Sequence, residues 1–183
     1  AVEPASVENM AMPLPDKPSI AVLPFVNMSD DPEQEYFSDG ITEDIITALS
    51  KTPKMLVIAR NSTFSYKGRA VKIKERAEDL GGQYVLEGSV RKAGDRIRIN
   101  AQLIDSISGH HVWAERYDRD LKDVFALQDE ITIKIISALR VNLTDGEIAR
   151  ISAMKTQNLE AYLKAIKARE YFLHFNGSDN TLA

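Results

Sequence analysis

The sequence predicts an α/β fold: a mixed sheet in which a βαβ unit joins an antiparallel three-strand meander, packed with helices and followed by C-terminal helices. Three observations carry this prediction. Residues 83–117 alternate apolar and polar positions through two tight turns. Residues 19–59 run apolar segment, amphipathic segment, apolar segment. Two later stretches repeat apolar residues at helical spacing.

In the first strand of the meander, Tyr84, Leu86, Gly88 and Val90 alternate with Gln83, Glu87, Ser89 and Arg91, and Val85 falls out of phase. After the turn Ala93-Gly94-Asp95, Ile97, Ile99, Ala101 and Leu103 alternate with Arg96, Arg98, Asn100 and Gln102. A period of two marks a sheet with one covered face and one wetter face. A second turn at 106–109 leads into 110–117, where Trp113, Glu115 and Tyr117 share a side. Gly-Asp and Ser-Gly suit such turns because glycine tolerates positive φ and Asp or Ser side chains can bond the local backbone.

Taken from the start, residues 1–18 hold four prolines (Pro4, Pro13, Pro15, Pro18) and no apolar period, which predicts a linker, semi-rigid in its second half. Residues 19–25 form a short continuous apolar run, expected of a strand covered on both faces and stopped by Pro24. A polar loop follows, with Ser38 or Asp39 as the candidate N-cap of a helix to Ser50 that turns Ile41, Ile45, Ala48 and Leu49 to one side. Residues 55–59 are the second apolar strand, and short connections make the unit parallel. Residues 60–70 read as a loop, and 71–80 as a short helix ended by Gly81.

Beyond the meander, 122–141 is predicted as the longest helix, with Val124, Leu127, Ile131, Ile135 and Ala138 as its stripe across the sheet. Thr144-Asp145-Gly146-Glu147 fits a capping box, and the core domain is placed at 19–143. In 158–172, Leu159, Tyr162, Leu163 and Ile166 line one side of a further helix. With no evident neighbour to cover that stripe, 144–183 is read as a helical linker leading into a truncated repeat, and the chain as a piece of something longer.

Composition narrows the function classes. The chain has 183 residues, 44% hydrophobic and 27% charged, enough apolar material for a real core. A net charge of −4 argues against general nucleic-acid binding, which calls for a basic excess. No apolar run is long enough for a membrane span. Without cysteine there are no disulfides or thiolate metal sites. The sequons at Asn27, Asn61, Asn142 and Asn176 lack a secretory context and are taken as chance matches.

No phosphate loop, dinucleotide fingerprint or nucleophile elbow is present. His110 and His111 are adjacent, so on a strand they face opposite ways and cannot jointly chelate an ion. The acidic stretch from Asp30 to Glu35 lacks the alternating ligands and central Gly of a calcium loop, and reads as a solvated segment. Phe64, Tyr66 and Trp113 suit core packing better than base stacking. Charge segregation says more. From Asp30 to Asp44 there are seven acids and no Lys or Arg, whereas 51–76 carries eight basic residues against Glu75 alone. Arg60, Lys67, Arg69, Lys72, Lys74 and Arg76 form the candidate interaction surface, able to steer a protein partner or a second copy; simple solvated faces are the bland alternative.

Several separated blocks carry a family resemblance. Lys17-Pro18-Ser19-Ile20-Ala21-Val22-Leu23-Pro24-Phe25, Tyr36-Phe37-Ser38-Asp39-Gly40-Ile41-Thr42-Glu43, Tyr84-Val85-Leu86-Glu87-Gly88-Ser89-Val90-Arg91 and Trp113-Ala114-Glu115-Arg116-Tyr117-Asp118 resemble the amino-terminal domain of TolB, across about 17–143. That resemblance implies a fold like the anticodon-binding domain of class II tRNA synthetases. It also implies a cytoplasmic bacterial setting between a class III adenylate or guanylate cyclase domain and tetratricopeptide repeats, or behind a winged-helix regulator. Residues 158–172 resemble the first helix of such a repeat but lack its Trp and Leu-Gly pair. On this footing the chain is expected to be a non-catalytic regulatory or protein-interaction module without its own cofactor, in a parent whose cyclase domain, divalent metal and ATP lie upstream. A small-ligand or nucleotide sensor and an RNA-binding module are the alternatives.

Overall fold

The computed structural model describes residues 17–69, 75, 79–139 and 158–175. One sheet organises them, its strands running in the order Leu56–Val57, Ser19–Val22, Tyr84–Ala93, Arg96–Asp105 and His111–Asp120, with the short Val26–Asn27 also on Tyr84–Ala93.

β1 (Ser19–Val22) lies between β3 (Leu56–Val57) and β4 (Tyr84–Ala93), parallel to both. Neighbours on both edges and cover on both faces bury all four of its residues, which is why its sequence is unbroken rather than alternating. Pro24 has no N–H to give the ladder, so regular pairing lapses after the Leu23 N–H bonds the Leu86 carbonyl. The chain returns to β4 as β2 (Val26–Asn27), one step further along. In the gap the Phe25 N–H donates to Thr42 Oγ1 at 3.0 Å, and Thr42 donates on to the Ser38 carbonyl at 2.8 Å. A buried hydroxyl thereby satisfies the backbone that the proline interrupted.

Helix α1 (Glu35–Ser50) begins earlier than expected. Asp31 caps a 3-10 turn at Pro32–Gln34 by accepting the Glu33 N–H, and this turn runs into α1. Asp followed by Pro is the stronger start, since proline removes a donor that the first helical turn leaves orphaned. Ser38 and Asp39 consequently sit inside the helix. Its face of Ile41, Ile45, Ala48 and Leu49 is fully buried, as the spacing predicted.

Residues 60–64 are helical rather than a loop. In α2 (Arg60–Phe64) the Arg60 guanidinium lies 3.8 Å from the centre of the Phe64 ring, and Thr63 Oγ1 donates to the Arg60 carbonyl. One and a half turns held by local polar contacts leave no apolar period to detect. Most of the helix expected at 71–80 lies outside the described residues; Gly81 has the φ of +66° of a helix stop.

The meander is as predicted, with the last strand running on past Tyr117: β4, then β5 (Arg96–Asp105), then β6 (His111–Asp120), antiparallel throughout. Gly94 and Gly109, at φ +56° and +71°, make the turns. Leu86, Val90, Ile97, Ile99, Leu103 and Tyr117 fill the core face. The out-of-phase Val85 has its own purpose. With Leu23 it forms a smaller cluster on the opposite face, against Leu80.

After a 3-10 turn at Leu121–Asp123, helix α3 (Val124–Ala138) covers β5 and β6 and packs on α1. It is one residue shorter than α1, so the expectation of a longest helix here fails within the described residues. The capping box at 144–147 lies outside them.

Helix α4 (Leu159–Phe175) overturns one expectation: its stripe does have a neighbour. Leu159, Tyr162, Leu163 and Ile166 pack on the main core. The Tyr162 ring meets Phe125 edge-on at 5.0 Å, and Ile166 lies over Gly40 of α1. Beneath them, fully buried Gln128 donates to Asp44 Oδ2 at 2.9 Å and to the Tyr162 hydroxyl oxygen at 3.1 Å. One amide thus joins α1, α3 and α4. Burial, reinforced by the Asp44 carboxylate, raises the Tyr162 hydroxyl pKa, so the phenol stays neutral.

Candidate interaction surfaces

The two charged segments that stand apart in the sequence fold onto each other. Lys67 Nζ lies 2.8 Å from Glu35 Oε1 and 2.6 Å from Asp39 Oδ2, and Arg60 Nε lies 3.3 Å from Glu43 Oε2. Two of the six candidate surface residues therefore neutralise acids of α1. Arg69 is exposed, and Lys72, Lys74 and Arg76 lie outside the described residues. The outward field is smaller than the charge count alone suggests. Burial opposes charging Lys67, yet the bonds from Asp39 and Glu35 outweigh it and hold the ammonium above its ordinary pKa. Burial also pushes the Asp39 carboxyl up, against the pull of Lys67.

A second surface is the face of the meander turned away from α1 and α3, which the alternation marked as wetter. Its side chains pair across strands: Gln102 donates to Glu87 at 2.5 Å, Asn100 to Ser89 at 3.0 Å, and Arg98 to Asp118 at 2.6 Å. Arg116 also reaches Asp118, at 3.3 Å, and Arg91 reaches Asp30, at 3.2 Å. Leu23, Pro24 and Val26 wall an open groove of about 530 Å³ over this floor. Its chemistry is that of hydrogen-bond donors and acceptors for an extended polar ligand or chain. Among the described residues no group of His, Cys, Asp or Glu is placed to hold a metal ion. His110 and His111 are both exposed.

These pairs set the acid response. The side-chain bond from Arg98 holds Asp118 below its ordinary range, Tyr117 does the same for Glu115, the Ser108 N–H for Asp105, and the Gln34 amide for Asp31. A carboxyl depressed in the folded state contributes stability above its unfolded pKa and loses it as pH falls through the folded value. Asp39 is raised and works the other way, but it is outnumbered. The thermal midpoint is expected to fall as pH drops from about 4.5 toward 2, and Asp118→Asn to flatten that fall. A midpoint that held constant over this range would contradict the assignment.

The sequence showed which residues face away from the core but not that they pair. Which Arg meets which Asp depends on strand register, and the turns set that register only once both strands are formed.

A family model described as HilA/YgeH-like transcriptional regulator, second domain, matches residues 16–135. Putative adenylate cyclase 3 of Rhizobium meliloti (strain 1021) is 57% identical over 177 residues, which are 96% of this chain and 30% of that protein. The chain therefore spans less than a third of the length of this curated relative. Among solved structures, TolB from Acinetobacter baumannii superposes with a TM-score of 0.54 at 18% identity, over 70% of this chain and 30% of that one. At that identity the likeness shows the fold alone, a mixed sheet packed with helices.

Proposed function

The chain belongs, through residues 16–135, to the family of HilA/YgeH-like transcriptional regulator second domains, and from that premise we propose that it is a non-catalytic regulatory and protein-interaction module of a multidomain bacterial adenylate cyclase. The observation that carries the cyclase assignment is the 57% identity to a putative adenylate cyclase along nearly all of this chain. In this reading the parent converts ATP to cyclic AMP in signal transduction, with ATP and divalent metal held by a catalytic domain outside this segment.

The domain's contribution is mechanical. α4 is clamped to α1 and α3 through Gln128, Tyr162 and Ile166, so it follows any movement of the sheet layer as a rigid arm. If it is the first helix of a tetratricopeptide repeat, as its sequence resemblance suggests, occupancy of the repeats is transmitted through that clamp. The test is cyclic AMP formation by the parent protein with and without this segment. A change in activity, dimerisation or regulation is expected; identical behaviour in all three would overturn the proposal.

The family description favours a second reading, in which the same module sits in a winged-helix transcriptional regulator. Sequence-specific DNA binding by the parent, with no cyclic AMP formed, would select it.

A further inference from the structure

Among the described residues the sheet ends on a long strand whose outer edge carries no partner strand. Among the described residues β6 pairs with β5 alone, so along His111–Asp120 a row of backbone N–H and C=O groups points away from the sheet. Long edge strands are blunted by proline, a bulge, charged side chains or a covering segment. β6 contains no proline, and its one irregularity lies at its start, opposite Leu103 and Ile104. What it carries is charge in a particular order: Glu115, Arg116, Tyr117, Asp118, Arg119. Counted outward from Tyr117, each residue on one side has the opposite sign to its counterpart on the other.

That order matters for two-fold symmetry. When two copies pair antiparallel about an axis through one residue, positions equally far before and after it lie opposite each other on the same face. About Tyr117, Arg116 opposes Asp118 of the second copy and Glu115 opposes Arg119, each contact made twice. Shifting the axis by one residue sets Arg116 against Arg116 or Asp118 against Asp118. Shifting it by two sets Glu115 against Glu115 or Arg119 against Arg119. Between Glu115 and Arg119, Tyr117 is the one centre that avoids like charges directly opposed, an arrangement that destabilises strand pairs.

We propose that β6 is a homotypic docking edge: two copies of this chain join β6 to β6, antiparallel and centred on Tyr117, making one continuous sheet. Tyr117 is buried and firmly placed, whereas the side chains of Arg116 and Arg119 are 65% and 43% exposed and free to exchange partners. The neighbouring helix is suited to the same contact. Glu130 and Lys134 of α3 reach Arg119 and Glu115 on β6, at 3.4 and 3.5 Å. Ile133 lies on that side of the helix and is one of its exposed apolar residues. Pairing the edges brings α3 beside its copy and gives Ile133 cover. The inference goes beyond the cyclase reading and holds or fails independently of it.

Sedimentation equilibrium of the chain over a wide concentration range tests it. The wild-type chain is expected to show a monomer–dimer equilibrium. Arg116→Asp alone opposes carboxylates twice, and Asp118→Arg alone opposes guanidinium groups twice; each is expected to weaken the dimer by about tenfold or more. An equimolar mixture of the two variants makes heterodimers in which both contacts are complementary, so association returns toward wild type. That recovery also shows that neither variant has simply misfolded. A wild-type chain that stays monomeric overturns the proposal, as does a dimer indifferent to the two substitutions or a mixture that does not recover. A foreign strand as the natural occupant of the edge would give the first of these outcomes.

Discussion

Gly88→Val is expected to destabilise the domain by about 3 kcal/mol or more, the upper range for forcing extra atoms into a packed core. Gly88 lies in β4 opposite Ala101, on the core face between Leu86 and Val90. A Cβ there would stand 2.4 Å from the Asn100 carbonyl oxygen and 2.8 Å from the Phe25 ring. Neither neighbour can give way. The carbonyl belongs to the adjacent strand, and Phe25 is a fully buried side chain held where its own N–H meets Thr42. Glycine is therefore kept at the centre of a strand, where it is ordinarily unfavourable, so that Phe25 can lie directly on the backbone. Urea unfolding measures the loss. Gly94→Ala is the comparison: open space surrounds that site and only the turn's φ of +56° opposes the side chain, at about 1–2 kcal/mol. If the two substitutions proved equal, the close approach at Gly88 would not be what its neighbours imply.

Gly40→Val is expected to release α4 while leaving the sheet folded. A Cβ on Gly40 would lie 3.0 Å from Ile166 Cγ2, and the two further methyl groups of valine have no room beneath α4. Removing a glycine from the middle of α1 gains about half a kcal/mol of helix propensity. Overpacking costs about 2 kcal/mol, so the steric effect decides the sign. Hydrogen exchange should show faster amide exchange in α4 with β4 and β5 still protected. Adding Ile166→Ala should restore part of the protection, because the two residues touch and their effects cannot be additive. Unchanged exchange in α4 would show that its docking does not rest on this contact. The same variant, placed in the parent protein, asks whether the clamped helix conveys anything to the rest of the molecule.

Much of this architecture could be read from local pattern. The period of two in β4 and β5, the glycines at 94 and 109, and the unbroken run at β1 each reflect a constraint acting within a few residues. Local pattern misplaces the start of α1, because Ser38 and Asp39 look like caps in isolation. Asp31, followed by Pro32, caps four residues before the helix proper, and that is visible only once the 3-10 turn is known. α2 leaves no apolar period in the sequence because its stabilising contacts are polar and local. The apolar stripe of α4 was legible, yet its cover was not, since Gly40 and Phe125 are remote in sequence.

The candidate surfaces divide along the same line. Arg60 and Lys67 were recognisable as basic residues, but their neutralisation by Glu43, Glu35 and Asp39 required α1 and the segment after β3 to come together. The charge order about Tyr117 stands in the sequence for anyone to read. Its meaning depends on β6 being the outermost strand, a property of sheet order alone. What the sequence determined by itself was the type of each main element and the face it turns inward, because a side chain's direction follows from backbone period. The tertiary structure alone decided which charges cancel, where α4 rests and which edge is left open, because those depend on contacts between segments that no local pattern encodes.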